Sequence, residues 1–281
     1  MANVRGKSVD KTFLSIDRAG EKGFIHRDYI AHCLRWQHVV KYVRSVVRGH
    51  EVHVLDIGCG RELPLAKTLY TSSLAPTSYV GVDYGPVIVP AFWGEGKKSW
   101  RPTLVLGDTD AALLKIEDLP HRPNTVTCFE VLEHVEPRHC RAILKNVIEL
   151  VDPEGVVFLS TPCYDERVGA ADNHVNEMTY LAFGALLEEV GFSVEGHWGT
   201  FASIRDYKDE LSESELSTFN RLREYYDTQY LATILAPLFP HRSRNVLWRL
   251  SVGRGGKRLF KPLSEAPRPW GSSARWEELA C

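Results

Sequence analysis

Short apolar runs that end in glycine or an acidic residue recur along this 281-residue chain, and their order constrains its fold more than any other feature. The four motifs are V-L-D-I-G-C-G at 54–60, G-V-D at 81–83, G-D at 107–108 and F-E-V-L-E-H-V at 129–135. A segment with helical periodicity, at 62–74, lies between the first two motifs, and further helical segments precede the first motif and follow the last one. Strands that alternate with helices of this length predict an α/β chain with a doubly wound parallel sheet, in which the strands' carboxyl ends line one crevice.

The apolar periodicity places the individual elements. Buried runs predict strands at 52–57, 79–82, 103–106, 125–129, 156–160 and 246–250. Apolar residues spaced by three and four predict helices at 26–47, 62–74, 137–151 and 179–190. Pro137 suits the first turn of its helix, and Gly191 suits the end of the last one.

The alternation breaks after Trp198. Ser212 and Glu215 form a capping box that predicts a helix to about Tyr230, and a second apolar stretch covers 231–238. This block is too long for a connecting loop, so we predict a helical insertion over about 205–240 near the carboxyl edge of the sheet. The predicted regions are an N-terminal arm with an amphipathic cap helix, a central domain and a flexible basic tail, at 1–50, 51–252 and 253–281.

The composition predicts neither a membrane span nor a disulfide framework. No run approaches the roughly 20 apolar residues that a span needs, and no signal-peptide segment begins the chain. Six separated cysteines fit reduced thiols and a cytoplasmic location. Residues 1–50 hold ten Lys and Arg against four acids, residues 240–281 hold nine against three, and the chain between carries −14. The basic ends are either solvated surfaces or contacts for an anionic partner such as nucleic acid. The sequence does not indicate an oligomeric state.

Together the four motifs resemble the class I S-adenosyl-L-methionine (SAM) dependent methyltransferases over 35–198, and within them the ubiquinone-pathway small-molecule O-methyltransferases. The resemblance implies a Rossmann-like, mostly parallel seven-stranded sheet with SAM as cofactor. One position departs from the family pattern, because Glu62 stands where a third glycine is usual. We therefore expect a less open turn after Gly60.

The resemblance also implies a role for each part of the cofactor site. Gly58 and Gly60 let the turn pass under the methionine portion, and Asp56 accepts hydrogen bonds from its ammonium group. Asp83 takes the ribose hydroxyls, Asp108 meets the adenine amino group, and Arg35 meets the SAM carboxylate. The complete predicted cofactor site is Arg35, Asp56, Gly58, Cys59, Gly60, Asp83, Tyr84, Asp108, Thr109 and Glu130.

The motif at 129–135 admits two interpretations of the acceptor side. In one, Glu130, Glu133, His134 and His174 hold Mg²⁺, Mn²⁺ or Zn²⁺, because E-x-x-E-H with a distant histidine resembles the metal site of small-RNA 2′-O-methyltransferases. In the other, the motif is only the family's usual end of strand four, and His174 is a lone base or a structural residue. In that second interpretation Glu130 touches SAM, and Glu133 and His134 bond the backbone. The predicted catalytic residues are Glu133, His134 and His174.

The predicted reaction is methylation of a small-molecule, sugar or nucleotide hydroxyl by in-line transfer. Aromatic residues of the first helix and of the insertion are candidates for the acceptor pocket or for core packing: Tyr29, His32, Trp36, Tyr225, Tyr226 and Tyr230. Two alternatives stay open, namely a metal-assisted nucleic-acid 2′-O-methyltransferase and a SAM-binding partner subunit without catalysis. The motifs of DNA amino and cytosine-carbon methyltransferases are missing after strand four, and no GxGxxG supports a dehydrogenase.

Overall fold

The computed structural model describes residues 27–47, 49–89 and 100–252. The predicted N-terminal arm and C-terminal tail, which carry much of the basic charge, lie outside these residues, as does the side chain of Tyr29. In the described part of the chain, no helix combines the length and apolar character needed to cross a membrane.

A seven-stranded sheet forms the centre of the molecule, in the order β3-β2-β1-β4-β5-β7-β6. Strands β1 to β5 are parallel, and β7 runs antiparallel to both of its neighbours. The predicted doubly wound, mostly parallel sheet is confirmed. The strands are β1 His53–Ile57, β2 Ser78–Val82, β3 Leu104–Leu106, β4 Thr125–Phe129, β5 Val156–Pro162, β6 Phe192–Phe201 and β7 Asn245–Val252.

Strand β6 is the one strand that the periodicity did not place. It is the edge strand beside β7, and the pairing shifts register near Gly196 and Gly199. Its mixture of buried and exposed positions follows neither strict alternation nor a continuous apolar run. An irregular edge strand therefore gave no clear pattern in the sequence.

Helices cover both faces of the sheet. On one face, α1 (Arg27–Val46) and α2 (Pro64–Thr71) bury Val40 and Leu69 against β1 and β5. On the other face, α3 (Pro137–Leu150) and α4 (Tyr180–Val190) bury Leu144 in the larger core. The predicted boundaries hold, because Pro137 lies in the first turn of α3 and Gly191, with φ +112°, ends α4.

The insertion contains three short helices, α5 (Ile204–Tyr207), α6 (Glu213–Leu222) and α7 (Thr228–Leu235). The prediction of one helix from Ser212 to Tyr230 was wrong beyond its beginning. The Ser212 capping box starts α6 as expected, but a new N-cap at Asp227 accepts hydrogen bonds from the N–H groups of the next turn and starts α7. The remaining short turns are 3₁₀ segments at 111–113, 116–118, 132–134, 208–210, 236–238 and 240–242.

Candidate functional site

The glycine turn after β1 is the first wall of the crevice. Gly58 and Gly60 have φ of +69° and +72°, a region that favours glycine. The N–H groups of Gly58 and Cys59 donate to the carbonyl oxygen of Val82 at 2.8 and 3.1 Å, which ties the turn to the end of β2. The thiol of Cys59 is buried, and burial raises its pKa. Cys59 therefore faces the core with its side chain and lines the turn with its backbone.

Asp83 follows β2 and is fixed against the turn. Its two carboxylate oxygens accept hydrogen bonds from the N–H groups of Gly60 and Gly85, each at 2.9 Å. A carboxylate offers about four acceptor positions, so two positions are left for further donors. The next residue, Tyr84, is 72% exposed and leaves an aromatic ring open beside the carboxylate. This arrangement fits a ribose diol.

The end of β3 lies beside the end of β2. The N–H of Thr109 donates to the Asp83 carbonyl at 3.0 Å, and that of Asp108 donates to the Gly85 carbonyl at 3.1 Å. Asp108 is exposed and has φ +51°, a left-handed conformation that aspartate adopts more readily than most non-glycine residues. The structure thus brings the predicted ends of three strands together.

Asp56 lies where the sequence places it, but its carboxyl group points into the sheet. It accepts hydrogen bonds from the hydroxyls of Tyr79 and Thr127, the latter at 2.6 Å, and is 3% exposed. Burial raises its pKa to about 6 against the effect of these two hydrogen bonds. Asp56 therefore joins β2 and β4 to β1 from inside. Its contact with the SAM ammonium group stays a prediction.

Glu130, directly after β4, is held by donors from three elements. Arg35 of α1 contacts its Oε1 at 2.7 Å, Ser160 donates to the same oxygen at 2.8 Å, and Asn245 of β7 donates to Oε2 at 2.7 Å. Thr200 in turn donates to Asn245 at 2.7 Å. Burial raises the pKa of Glu130, but the Arg35 charge and these hydrogen bonds together hold it below its ordinary value.

Asn245 and Thr200 were not among the predicted site residues. They belong to the antiparallel strands β7 and β6, and no glycine turn or acid marks either position in the sequence. Only the pairing of β7 with β5 brings Asn245 to the carboxyl ends of β4 and β5.

Three of the four predicted metal ligands meet at the start of the loop after β4. Glu133, His134 and His174 each offer a ligand atom within 4.8 Å of the others. His134 Nδ1 lies 3.0 Å from the carbonyl oxygen of Asn173, and His174 Nδ1 contacts the carboxylate of Glu177. A carbonyl oxygen only accepts, so Nδ1 of His134 carries the hydrogen and its Nε2 has the lone pair in the neutral ring. Glu130 is turned away to Arg35.

The electrostatic environment shifts the pKa values of Glu133 and His134 away from those of the free side chains. Burial, and then the charge of Glu130, raise the pKa of Glu133 well above its ordinary range. Burial lowers the pKa of His134 and outweighs its hydrogen bond to Asn173. A neutral imidazole is consequently available at His134 near pH 7.

A buried charge network, which we name the latch, fixes the loop that carries His174. Arg167 contacts Asp165 on its own loop and reaches Asp206 of α5 at 2.8 Å. Arg244, just before β7, contacts Asp206 at 3.1 Å. Asp165 and Asp206 are both buried. The latch joins the loop after β5 to the insertion and to β7.

The aromatic residues that are candidates for the acceptor pocket lie in different environments. Trp36 is buried in the core between α1 and the sheet, so packing accounts for it. Tyr225 and Tyr226 are exposed between α6 and α7, at 79% and 61%. His32 stacks on Trp36 at 5.5 Å and contacts Arg35.

Comparisons with known proteins agree with this architecture. Residues 27–213 match the family described as a methyltransferase domain. The ubiquinone biosynthesis O-methyltransferase of Neisseria meningitidis serogroup A is 32% identical over 113 residues, which are 38% of this chain and 43% of that protein. Sphingolipid C9-methyltransferase A of Emericella nidulans is 32% identical over 115 residues, 38% of this chain and 20% of that protein. The chain thus spans less than half the length of these two relatives.

A solved structure, the 1,6-didemethyltoxoflavin-N1-methyltransferase of Burkholderia thailandensis, aligns over 84% of this chain and 85% of that chain. Its TM-score is 0.49 and its sequence identity 14%. The sheet order, the glycine turn and the acids at the strand ends define the class I SAM-dependent methyltransferase architecture. The match over 27–213 shows that the chain belongs to the methyltransferase domain family, which confirms the resemblance predicted from the four motifs.

Proposed function

We propose that this chain methylates a hydroxyl group of a small-molecule, sugar or nucleotide acceptor, with SAM as the methyl donor. The observation that carries the proposal is the fixed Asp83 carboxylate beside the glycine turn, because it offers acceptors for a diol where three strand ends meet. The matched relatives include proteins named as O-methyltransferases, which supports a hydroxyl acceptor.

The proposed cofactor residues lie along the carboxyl ends of β1 to β4. When bound, SAM supplies a methyl group on a positively charged sulfur. Gly58 and Gly60 offer a close backbone surface, Asp83 binds the ribose hydroxyls, and Asp108 with Thr109 borders the adenine. Glu130 lies on the side of β4, where Arg35 balances its charge at 2.7 Å and Asn245 fixes its second oxygen.

His134 and His174 are the proposed residues on the acceptor side. With Nδ1 donating to Asn173, His134 presents the lone pair of Nε2, so it can accept a hydroxyl proton. Glu177 orients His174 in the same way. A hydroxyl acceptor needs this proton removal, which is why the neutral imidazole of His134 supports O-methylation over transfer to an unprotonated amine.

Isothermal titration with SAM and with S-adenosylhomocysteine tests the cofactor site. We expect Asp83→Asn to weaken both by about 10- to 100-fold, since hydrogen bonds to a charged group contribute about 1.5–3 kcal/mol. The control is Asp209→Asn, an acid in the insertion that is paired only loosely with Lys208 at 4.0 Å. Wild-type protein that binds neither ligand would refute the proposal. Binding without methyl transfer to a broad acceptor panel would favour the partner-subunit alternative.

A second candidate, metal-assisted transfer, rests on the cluster of Glu133, His134 and His174. Histidine ligands of metals usually donate their other ring N–H to a carboxylate or a carbonyl oxygen, as Glu177 and Asn173 accept here. A divalent ion held by these residues would act as a Lewis acid on the acceptor hydroxyl. The set of ligands differs from the one predicted, because Glu130 belongs to the Arg35 network.

Titration of the wild-type protein and of His174→Ala with Mn²⁺ and Zn²⁺ tests this candidate. Binding that the variant loses, together with activity that chelator abolishes and metal restores, supports it. The matched control is His139→Ala, whose imidazole contacts Asp110 outside the cluster. Activity unchanged in excess chelator would reject metal assistance and leave His134 and His174 as proton acceptors.

A further inference from the structure

Arg35 is enclosed by the protein, and its contacts are with side chains of the site. It is 2% exposed. Its Nη1 reaches Glu130 Oε1 at 2.7 Å and Asn245 Oδ1 at 3.1 Å, and its Nη2 lies 2.9 Å from His32 Nδ1. Its Nε is buried and has no hydrogen-bond partner among the described residues. The guanidinium group is therefore shielded from solvent, and both of its terminal nitrogens already contact side chains of the protein.

The contact with His32 determines where the proton of that imidazole lies. A guanidinium group has only donors, so His32 Nδ1 must accept the hydrogen bond from Arg35. The neutral ring then carries its proton on Nε2. Arg35 thereby fixes the tautomer of His32 at the same time as it neutralises Glu130.

The contacts with Glu130 form a closed network. Oε1 of Glu130 accepts hydrogen bonds from Arg35 and Ser160, and its Oε2 accepts one from Asn245. Arg35 also donates to Oδ1 of Asn245, which closes the network. Glu130 has φ +58°, so its backbone conformation depends on the surrounding contacts. Removing Arg35 would leave a largely buried carboxylate without its counter-charge, which favours its displacement.

We propose that Arg35 is a positioning residue that holds Glu130 and His32 at the carboxyl edge of the sheet and does not bind the SAM carboxylate. This proposal rests on the proposed SAM site. It differs from the role that the resemblance to O-methyltransferases implies for Arg35.

A thermodynamic cycle that combines a change in the ligand with a change in the protein distinguishes a positioning role of Arg35 from direct binding of the SAM carboxylate. Isothermal titration would measure SAM and decarboxylated SAM, which lacks only the carboxylate, against wild type and Arg35→Met. A positioning residue weakens both ligands by the same factor, within about threefold. A direct ion pair would make the loss at least about tenfold larger for SAM, because decarboxylation already removes that partner. That second result would overturn the proposal.

Two further variants keep the test decisive. If Arg35→Met does not fold, Arg35→Met/Glu130→Gln removes both charges and is compared with Glu130→Gln by the same cycle, with the same expected equality. Arg141→Met is the matched control, since Arg141 pairs with Glu189 on the surface at 2.6 Å and should leave both affinities unchanged. A wild type that binds neither ligand would refute the SAM site itself, a result distinct from a carboxylate-specific loss.

Discussion

Replacing Gly58 with alanine tests whether the turn after β1 requires glycine for both of the reasons that the structure gives. The first is conformational, because Gly58 has φ +69°. The second is steric, because a Cβ at this position would lie 2.2 Å from Val131 Cγ2. Other glycines of the chain show these features separately, so the two contributions can be resolved.

The expected loss follows from adding the two effects. A left-handed alanine costs about 1–2 kcal/mol, and overpacking of a well-packed region costs about 1–3 kcal/mol. Gly58→Ala should therefore lower the free energy of unfolding by about 2–5 kcal/mol, a large part of the roughly 5–15 kcal/mol that holds a domain folded. In a Val131→Ala background the nearest atom would be Val131 Cβ at 3.6 Å, so the penalty should fall to about 1–2 kcal/mol.

Two matched variants complete the series, measured by urea unfolding. Gly60→Ala has φ +72° but its nearest neighbour is Pro64 Cδ at 3.3 Å, so we expect mainly the conformational loss of about 1–2 kcal/mol. Gly49→Ala meets nothing within 4 Å and should be nearly neutral. The reasoning fails if Gly58→Ala is as stable as wild type, or if Val131→Ala does not reduce its penalty.

Three other predictions concern the latch, the buried acid and the basic ends. Arg167→Ala should lower the free energy of unfolding by about 1–3 kcal/mol, because it removes the main counter-charge of the buried Asp165 while Arg244 stays on Asp206. The surface Arg141→Ala should cost at most about 1 kcal/mol. Because the folded pKa of Asp56 is raised to about 6, the stability of wild type relative to Asp56→Asn should be constant below about pH 3 and fall by about 3 kcal/mol as the pH rises through the folded pKa to about 7. Urea titrations across this range would show no such slope if Asp56 were ionised throughout. If the acceptor is nucleic acid, binding of RNA by the basic ends should weaken steeply between about 50 and 200 mM salt. Retention of RNA in a filter-binding assay that does not depend on salt would contradict this expectation.

The parts of the fold that were predictable have local signals. Gly58, Asp83 and Asp108 each follow a short apolar run, and the alternation of strands with helices predicts that their strands are parallel and share an edge. The beginnings of α3 and α6 were predictable for the same reason, since a proline or a capping box acts within four residues. The break at Asp227 was not predicted, because the apolar patterns of two adjoining helices look like that of one long helix.

The parts that were not predictable depend on contacts between residues far apart in the chain. Arg35 and Asn245 are 210 residues apart in sequence. They come into contact because β7 lies antiparallel between β5 and β6 in the sheet. The residues near Arg35 in sequence give no indication of Asn245, and those near Asn245 give none of Arg35. The sequence could thus predict that Arg35 lies near the cofactor edge, but not that its charge is taken up by Glu130.

The motif at 129–135 shows how such distant contacts decide chemistry. Glu130 and Glu133 lie three residues apart, yet the pKa of the first is lowered and that of the second is raised. Arg35 and Asn245 meet Glu130 directly, whereas Glu133 is buried beside that negative charge with Thr161 at 3.4 Å. The ionised Glu130 makes a second charge nearby costly, so it favours the protonated form of Glu133. Burial is the largest cause of the raised pKa of Glu133 and the charge of Glu130 comes second, whereas Arg35 is the largest of the effects that lower the pKa of Glu130. Replacing Arg35 should therefore raise the pKa of Glu130, and a protonated Glu130 would no longer disfavour a charge on Glu133.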